Sequence, residues 1–314
     1  MVRYDLHFIS HGTRCAAWWY VPDTDGRHPF VVMAHGFGAT REMGLDAFAQ
    51  RFCAAGFCVL AFDYRHYGAS EGSPRELLSV AKQREDYRAA LAFAKTRPEA
   101  DPERGALWGT SFSGGHVLAL SAENLGVRAV VAQVPFTSGL HTALSFPTGI
   151  ALRMSARGLA DLAAAALGLP AAYLPVLGKL EDFALMPGAE VEAGYRSIVP
   201  PGAEAAGGWR NRAVARIALL GAFCEPREAI PRSRVPVLLT LGTRDTLTPA
   251  AHALRAALGN RLVDARSYEA GHFDFYRGPL FERAVKDQCD FLCKHVRDAD
   301  KSPSALTVGE PAAA

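Results

Sequence analysis

The fold is decided by the stretch Leu107-Trp108-Gly109-Thr110-Ser111-Phe112-Ser113-Gly114-Gly115. It joins an apolar strand, predicted over 106–109, to a helix predicted over 112–123, with one serine at the apex. A serine on so sharp a turn adopts a strained backbone, and the residues two places away must be small to let strand and helix approach. Gly109 meets that demand and Ser113 meets it less completely. The pattern predicts a nucleophile elbow, with a phosphate-binding or merely tight turn at a helix start as the alternative.

Strands and helices alternate on both sides of this elbow. The segments 30–34, 57–62 and 129–134 are short continuous apolar runs, which are typical of strands covered on both faces. Further strands are predicted over 4–9, 16–21, 235–241 and 262–268. Helices are predicted over 45–55, 77–95, 249–258 and 280–296. Such alternation indicates right-handed crossovers, and therefore an α/β fold with a mostly parallel central sheet and helices on both faces.

The alternation stops between residues 137 and 232, a segment rich in Ala, Gly and Pro. We interpret this segment as a helical insertion, with helices predicted over 154–167 and 211–220. The core domain then comprises residues 1–136 and 233–297. The polar, Ala- and Pro-rich stretch 298–314 is predicted to be a disordered tail.

The ends of the predicted strands carry residues that suit nucleophilic catalysis. His272 follows the strand 262–268, and Asp245 follows the strand 235–241. The chain order Ser111, Asp245, His272 is the order in which this type of sheet presents nucleophile, orienting acid and general base. Two other carboxylates, Asp264 and Asp274, are rival acids that we interpret as structural. We therefore predict a triad of Ser111, His272 and Asp245.

An acyl-transfer site also needs two backbone N–H donors for the oxyanion. One is expected from Phe112, the residue after the nucleophile, and the other from Phe37 in the loop His35-Gly36-Phe37-Gly38. Glycines there allow the chain to turn so that the Phe37 N–H faces the nucleophile. His35 is interpreted as a buried histidine that bonds to loop backbone, with no part in proton transfer.

Composition limits the partners and the location. The 314 residues carry 34 basic and 32 acidic side chains, a formal net charge of +2, so neither a nucleic acid nor a membrane surface is expected as a partner. The N-terminus lacks the uninterrupted apolar stretch of a signal peptide, and we expect a cytoplasmic protein. The six cysteines form no metal-binding pattern and are expected to be reduced and mostly buried. No metal or organic cofactor is expected, the substrate is expected to be a small molecule, and a homodimer is left open.

Three segments carry a resemblance to a known family. The run Phe62-Asp63-Tyr64-Arg65-His66-Tyr67-Gly68-Ala69-Ser70-Glu71-Gly72 and the segments 108–116 and 241–249 resemble those of α/β-hydrolases of the bacterial serine-hydrolase type. The run 109–116 is also similar to members related to fungal polyketide transferases, and the superfamily includes serine aminopeptidase-like hydrolases. Peptidase activity is disfavoured, because prolyl aminopeptidases usually carry a tryptophan where this chain has Phe112.

The resemblance implies the α/β-hydrolase fold and acyl-transfer chemistry. It also implies that the insertion 137–232 is a cap over the active site, and that the turn at 63–72 is structural. We expect apolar cap residues to line an acyl pocket, with Phe136, Phe146 and Met154 as substrate-binding residues and Leu140, Leu144, Ile150 and Leu152 beside them. The predicted activity is hydrolysis of a carboxylic ester or thioester with a hydrophobic acyl group. The alternatives are an acyltransferase that uses the same triad and a non-catalytic ligand-binding protein.

Overall fold

One eight-stranded sheet organises the computed structural model of the protein, which describes residues 1–204 and 208–299. The strands, in chain order, are β1 Val2–Ser10, β2 Thr13–Val21, β3 His28–Ala34, β4 Cys58–Phe62, β5 Ala100–Thr110, β6 Ala129–Gln133, β7 Val237–Gly242 and β8 Val263–Tyr268. Their order across the sheet is β1-β2-β4-β3-β5-β6-β7-β8. Strands β1, β2 and β4 pair antiparallel, and all later neighbours pair parallel. The mostly parallel sheet predicted from the apolar runs is confirmed.

Local sequence explains the antiparallel start and the buried centre of the sheet. His11 and Gly12 both have positive φ, 46° and 78°, which gives the two-residue hairpin turn whose twist matches its strands. Every residue of β3, β4 and β6 is buried, because helices cover both faces there.

Within residues 1–204 and 208–299, five α-helices belong to this core. They are α1 Leu45–Ala54, α2 Val80–Lys95, α3 Phe112–Ser121, α8 Ala250–Ala257 and α9 Gly278–Leu292. Helix α1 packs beside α9, and α2 packs beside α3. The carboxyl ends of β3, β5, β7 and β8 meet at one edge of the sheet, where the loops that follow them come together.

The described residues of the insertion, 137–204 and 208–232, add no strand to this sheet. They form α4 Gly139–Ser145, α5 Thr148–Ala166, α6 Ala189–Ile198 and α7 Ile217–Leu220. Short strands Tyr173–Leu174 and Ala213–Val214 pair with each other, as do Leu177–Gly178 and Met186–Pro187. The predicted helix 211–220 is therefore wrong in its first half, because the backbone of Ala213–Val214 is used in pairing.

The insertion has a small core of its own. Met154 of α5 is buried against Leu174 and Ala215. The fully buried carboxylate of Asp161 bonds to the Arg216 guanidinium and to the backbone N–H of Ala172, at 2.6 and 2.9 Å. Burying a charge is favourable only when it is paired in this way, so these contacts fix α5 to the segments around it.

Three further predictions concern the chain as a whole. The six cysteines are free, and Cys15, Cys53, Cys58 and Cys224 are buried. Across residues 1–204 and 208–299, no helix has the length and apolarity needed to cross a membrane. Of the predicted disordered tail, residues 300–314 lie outside the described residues.

Candidate active site

Ser111 lies on a strained turn between β5 and α3. Its φ of 57° and ψ of −120° fall outside the regions that L-residues ordinarily occupy. A Cβ at Gly109 would lie 2.4 Å from the Ser113 carbonyl oxygen, so only glycine lets strand and helix approach this closely. Strand β6 holds the turn, since the Ser111 N–H donates to the Gln133 carbonyl at 2.8 Å. Strain that is fixed from several sides is typical of functional positions.

Ser113 occupies the place where a second glycine was expected. Its hydroxyl accepts a hydrogen bond from Tyr64 at 3.1 Å and lies 2.5 Å from the hydroxyl of Tyr87. Because Tyr87 donates to the Trp108 carbonyl at 2.8 Å, Ser113 is the donor to Tyr87. All three hydroxyls are buried and satisfied. Ser113 therefore anchors the start of α3 to the core.

The structure brings Ser111, His272 and Asp245 together. The Nε2 of His272 lies 3.0 Å from the Oγ of Ser111, and its Nδ1 lies 2.7 Å from Oδ2 of Asp245. The three residues follow β5, β8 and β7 respectively, as the sequence predicted. With Nδ1–H donated to the carboxylate, Nε2 is free to accept the serine proton.

Asp245 is held as an anion by its surroundings. Its Oδ1 accepts from the N–H groups of Leu247 and Thr248 at 2.9 and 2.8 Å, and the Thr248 hydroxyl lies 2.7 Å from Oδ2. Burial alone would raise the pKa of Asp245, but His272 and these hydrogen bonds outweigh it and keep the pKa below its ordinary value. Sequence reasoning missed Thr248, although the spacing Asp-x-x-Thr is typical of a carboxylate that caps the following turn.

The rival carboxylates have other partners. Asp264 lies on β8, is partly exposed and pairs with Arg266 at 3.1 Å. Asp274 accepts the N–H of Gly271 at 2.8 Å and so shapes the loop that carries His272. These contacts agree with the structural interpretation of both residues.

The two predicted oxyanion donors flank Ser111. Phe112 is the first residue of α3, so its N–H is one of the groups that a helix start leaves without an intrahelical acceptor. Phe37 lies in the loop after β3, and its ring contacts that of Phe112 edge to face at 5.3 Å. In the same loop, a Cβ at Gly36 would lie 3.0 Å from Cβ of Ser111. The backbone of both donors therefore passes close to the serine.

Residues 63–72 brace the loop after β3. Asp63 forms a buried ion pair with Arg41 and accepts the N–H groups of Arg41 and Ala69, at 2.7 and 3.1 Å. His35 is buried, lies 3.1 Å from the Gly36 carbonyl through Nδ1, and has a pKa lowered by burial. These contacts agree with a structural turn at 63–72 and with a buried His35 that bonds to loop backbone.

A chain of buried polar side chains runs beneath the elbow. The indole of Trp108 donates to Gln288 of α9 at 2.9 Å, and the Gln288 amide donates to Gln133 at 2.9 Å. Gln133 donates to Thr110 at 3.3 Å, and the Thr110 and Tyr276 hydroxyls lie 2.8 Å apart. The residue before the serine is thus tied to the last long helix.

Two pockets meet at His272 and Phe273. The first is narrow, contains Ser111 and has mostly apolar walls. Its lining comprises Gly36, Phe37, Ala39, Met43, Thr110, Ser111, Met186, Tyr195, Ile198, His272, Phe273 and Tyr276. The second, of about 320 Å³, lies between α6 and the loop after β7, and its walls include Arg244, Glu190 and Thr246. Residues of the insertion therefore line both pockets.

The residues predicted to line an acyl pocket do not line the pocket that contains Ser111. Phe146 and Met154 belong to the separate apolar cluster of the insertion, together with Ile150. Phe136 packs on the ring of Phe112 at 5.0 Å and is not part of the pocket lining. The side chains of Leu140, Leu144 and Leu152 are 50, 75 and 66% exposed. The prediction is wrong because α4 and α5 turn their inner faces to other parts of the insertion, whereas Met186, Tyr195 and Ile198 reach the pocket.

Histidine, cysteine, aspartate and glutamate are the side chains that most often bind metal ions in proteins. Over the described ranges 1–204 and 208–299, no three of these groups are placed to hold a metal ion together.

A mostly parallel eight-stranded sheet with an elbow serine at a strand end, facing a histidine and an aspartate from neighbouring loops, defines the α/β-hydrolase class. The model of the alpha/beta hydrolase family matches residues 31–284. The chain belongs to that family, and the fold and the resemblance expected from the sequence are confirmed.

Individual proteins resemble the chain over nearly its whole length. The quorum-quenching protein AidA of Acinetobacter baumannii is 38% identical over 288 residues, which cover 92% of this chain and 93% of that protein. The thiohydrolase apmlB of Arthrinium phaeospermum is 29% identical over 278 residues, 85% of this chain and 89% of that protein. The α/β hydrolase GrgF from a Penicillium species superposes with a TM-score of 0.78 at 23% identity, over 95% of this chain and 100% of that chain.

Proposed function

We propose that this protein is a serine hydrolase that cleaves a carboxylic ester or thioester with a hydrophobic acyl group. The observation that carries the proposal is the unbroken chain from Ser111 to His272 to Asp245, at 3.0 and 2.7 Å, on a strained elbow. The family and the relative named a thiohydrolase support the ester-bond hydrolase class.

The proposed reaction has two halves. The Oγ of Ser111 attacks the substrate carbonyl carbon while Nε2 of His272 takes the hydroxyl proton, and the N–H groups of Phe37 and Phe112 stabilise the oxyanion. The imidazolium returns that proton to the leaving oxygen or sulfur, which leaves an acyl-Ser111 ester. Water then loses a proton to His272 and attacks the ester, and the acid is released as Ser111 regains its proton. Asp245 stabilises the imidazolium in both halves.

The two pockets suggest how a substrate lies. The apolar pocket beside Ser111 suits the acyl group, with Met186 and Ile198 in the role first expected of Phe146 and Met154. The proton donor to the leaving group is His272, and the larger, mixed pocket opens beside it. We therefore place the leaving group in the larger pocket, between α6 and the Arg244 loop.

Active-site labelling tests the catalytic assignment. A fluorophosphonate is expected to form one adduct, on Ser111, because His272 makes that hydroxyl far more nucleophilic than other serines. Intact mass and peptide mapping would detect it, with Ser111→Ala as the control. Absence of an adduct on the folded protein favours the non-catalytic binding protein instead.

An acyl-chain series tests the pocket. Esters from acetate to decanoate share one leaving group, and their kcat/KM values give a chain-length profile. Ile198→Ala enlarges the apolar pocket and is expected to shift the profile toward longer chains, whereas Met154→Ala, a change inside the insertion's own cluster, is not. Equal profiles for the two variants contradict the assignment of the acyl group to this pocket.

An acyltransferase is the second candidate, and the larger pocket is the observation that favours it. With about 320 Å³ and mixed polar and apolar walls beside His272, this pocket offers space for an alcohol that replaces water in the second half-reaction. Competition between water and added alcohols, followed by quantifying acid and new ester, distinguishes the two activities. Predominant ester at millimolar alcohol identifies a transferase.

A further inference from the structure

The turn that carries Phe37 is bonded to the insertion. The Ala39 N–H donates to the Gly36 carbonyl at 3.3 Å, and Gly38 has a φ of 65°, so residues 36–39 form a tight turn with Phe37 and Gly38 at its centre. The Tyr195 hydroxyl donates to the Phe37 carbonyl at 2.9 Å, and the Trp209 indole donates to the Gly38 carbonyl at 2.8 Å. Both central carbonyls are thus held by side chains of the insertion.

These two donors are well fixed. Tyr195 lies in α6, and the side chains of Tyr195 and Trp209 are each only 3% exposed. Their rings pack at 5.6 Å, and a Cβ at Gly38 would lie 3.0 Å from the side chain of Val176, also of the insertion. Such a buried arrangement restricts the turn to one orientation, because rotating either peptide plane leaves a buried donor without a partner.

The orientation of this turn matters for the proposed chemistry. A backbone N–H stabilises an oxyanion best when it is aimed before the reaction, since no free energy is then spent on reorientation. Loss of one oxyanion donor lowers kcat by about 10²–10³ in a well-studied protease, and loosening a donor costs less than losing it.

We infer that Tyr195 and Trp209 are positioning residues through which the insertion fixes the oxyanion turn. The inference rests on the proposed function, and it makes the insertion part of the catalytic apparatus as well as a wall of the pocket. Tyr195 acts through the Phe37 backbone. The effect is assigned to the hydroxyl, which bonds to the Phe37 carbonyl. The ring has separate contacts, since it packs on Phe273 and lines the pocket, and a test must therefore keep it.

Tyr195→Phe tests the inference, because it removes the hydroxyl and keeps the ring. Tyr173→Phe is the matched control: Tyr173 also belongs to the insertion and donates to a backbone carbonyl of the core, that of Arg75, at 3.2 Å. We measure kcat and KM for one ester, together with the inhibition constant of a trifluoromethyl ketone, which binds Ser111 as an oxyanion. Trp209→Phe, which removes the other donor, is the second variant.

We expect Tyr195→Phe to lower kcat about tenfold with KM within twofold, and to weaken the ketone by a similar factor. Trp209→Phe should act in the same direction, and Tyr173→Phe should change neither kcat nor the inhibition constant of the ketone. If both variants match Tyr173→Phe, or if the loss lies wholly in KM, the inference is overturned while the proposed function stands. If the wild type neither hydrolyses esters nor binds the ketone, the proposed function is overturned, and the inference with it.

Discussion

We expect Asp245→Asn to abolish most of the activity, because it reverses the direction of the hydrogen bond between residue 245 and Nδ1 of His272. In the wild type, Oδ1 accepts two backbone N–H groups at 2.9 and 2.8 Å, and Oδ2 accepts Nδ1–H of His272 at 2.7 Å. The asparagine oxygen retains the two backbone bonds, so its NH₂ group takes the place of Oδ2. Because that group is a donor, Nδ1 of His272 must become an acceptor, and the ring proton moves to Nε2, which then cannot take the proton of Ser111.

The size of the effect follows from this tautomer change. The same substitution in a serine protease lowers kcat by about 10⁴, and we expect a similar factor here, equivalent to about 5.5 kcal/mol in the activation free energy. The fold should persist, since the backbone bonds to residues 247 and 248 remain.

Steady-state kcat on one ester measures the loss, with Ser111→Ala as the baseline and circular dichroism as the test of folding. Asp264→Asn is the control, because that carboxylate pairs with Arg266 on β8, away from His272. A folded Asp245→Asn enzyme within tenfold of wild type would refute the reasoning. So would a severe loss in Asp264→Asn.

Three further predictions concern the elbow and its surroundings. Ser113→Ala should lower the free energy of unfolding by about 1–3 kcal/mol in urea titrations, because the hydroxyls of Tyr64 and Tyr87 lose a buried partner; a change under about 0.5 kcal/mol contradicts this. Gly109→Ala places a methyl group 2.4 Å from the Ser113 carbonyl oxygen, so strand β5 and helix α3 must move apart and fluorophosphonate labelling of Ser111 should be abolished. Full labelling of this variant would contradict the close approach of β5 and α3. Burial holds the pKa of His116 well below its usual value, so the folded state stays neutral while the unfolded state takes up a proton below about pH 6.5. This histidine alone should therefore lower the free energy of unfolding by up to about 1.4 kcal/mol per pH unit from pH 6.5 toward 5, and His116→Gln should remove that share of the slope.

The catalytic candidates could be predicted because each follows a strand that the sequence marks by itself. Ser111 and Asp245 follow apolar runs, His272 follows the predicted strand 262–268, and parallel strands bring their carboxyl ends to one edge. The assignment used only the predicted strand ends and the order of the three residues along the chain, and it needed no information on tertiary contacts. The same logic separated Asp245, which bonds to His272, from Asp264, which lies inside a strand.

The insertion could not be predicted in this way. An amphipathic helix shows that one face is buried, but its pattern does not say against what. Met154 faces the insertion's own core, whereas Tyr195 and Ile198 of α6 face the serine. The apolar spacing of Val191, Tyr195 and Ile198 was a usable signal for a buried helix face. The sequence around Trp209 gave no such signal, because the partner of its indole is the backbone carbonyl of Gly38, 171 residues earlier in the chain.

The hydrogen bond between Trp108 and Gln288 spans 180 residues. At synthesis rates of roughly 5–20 residues per second, the ribosome delivers Gln288 about ten to forty seconds after Trp108. Throughout that interval, the indole N–H of Trp108 and the side-chain oxygen Oε1 of Gln133 lack the partner to which they bond in the folded protein. In the nascent chain, strand β5, which leads to Ser111, therefore lacks its hydrogen bond to α9 until α9 has left the ribosomal tunnel. We expect the serine to become reactive only after α9 has been synthesised and has docked.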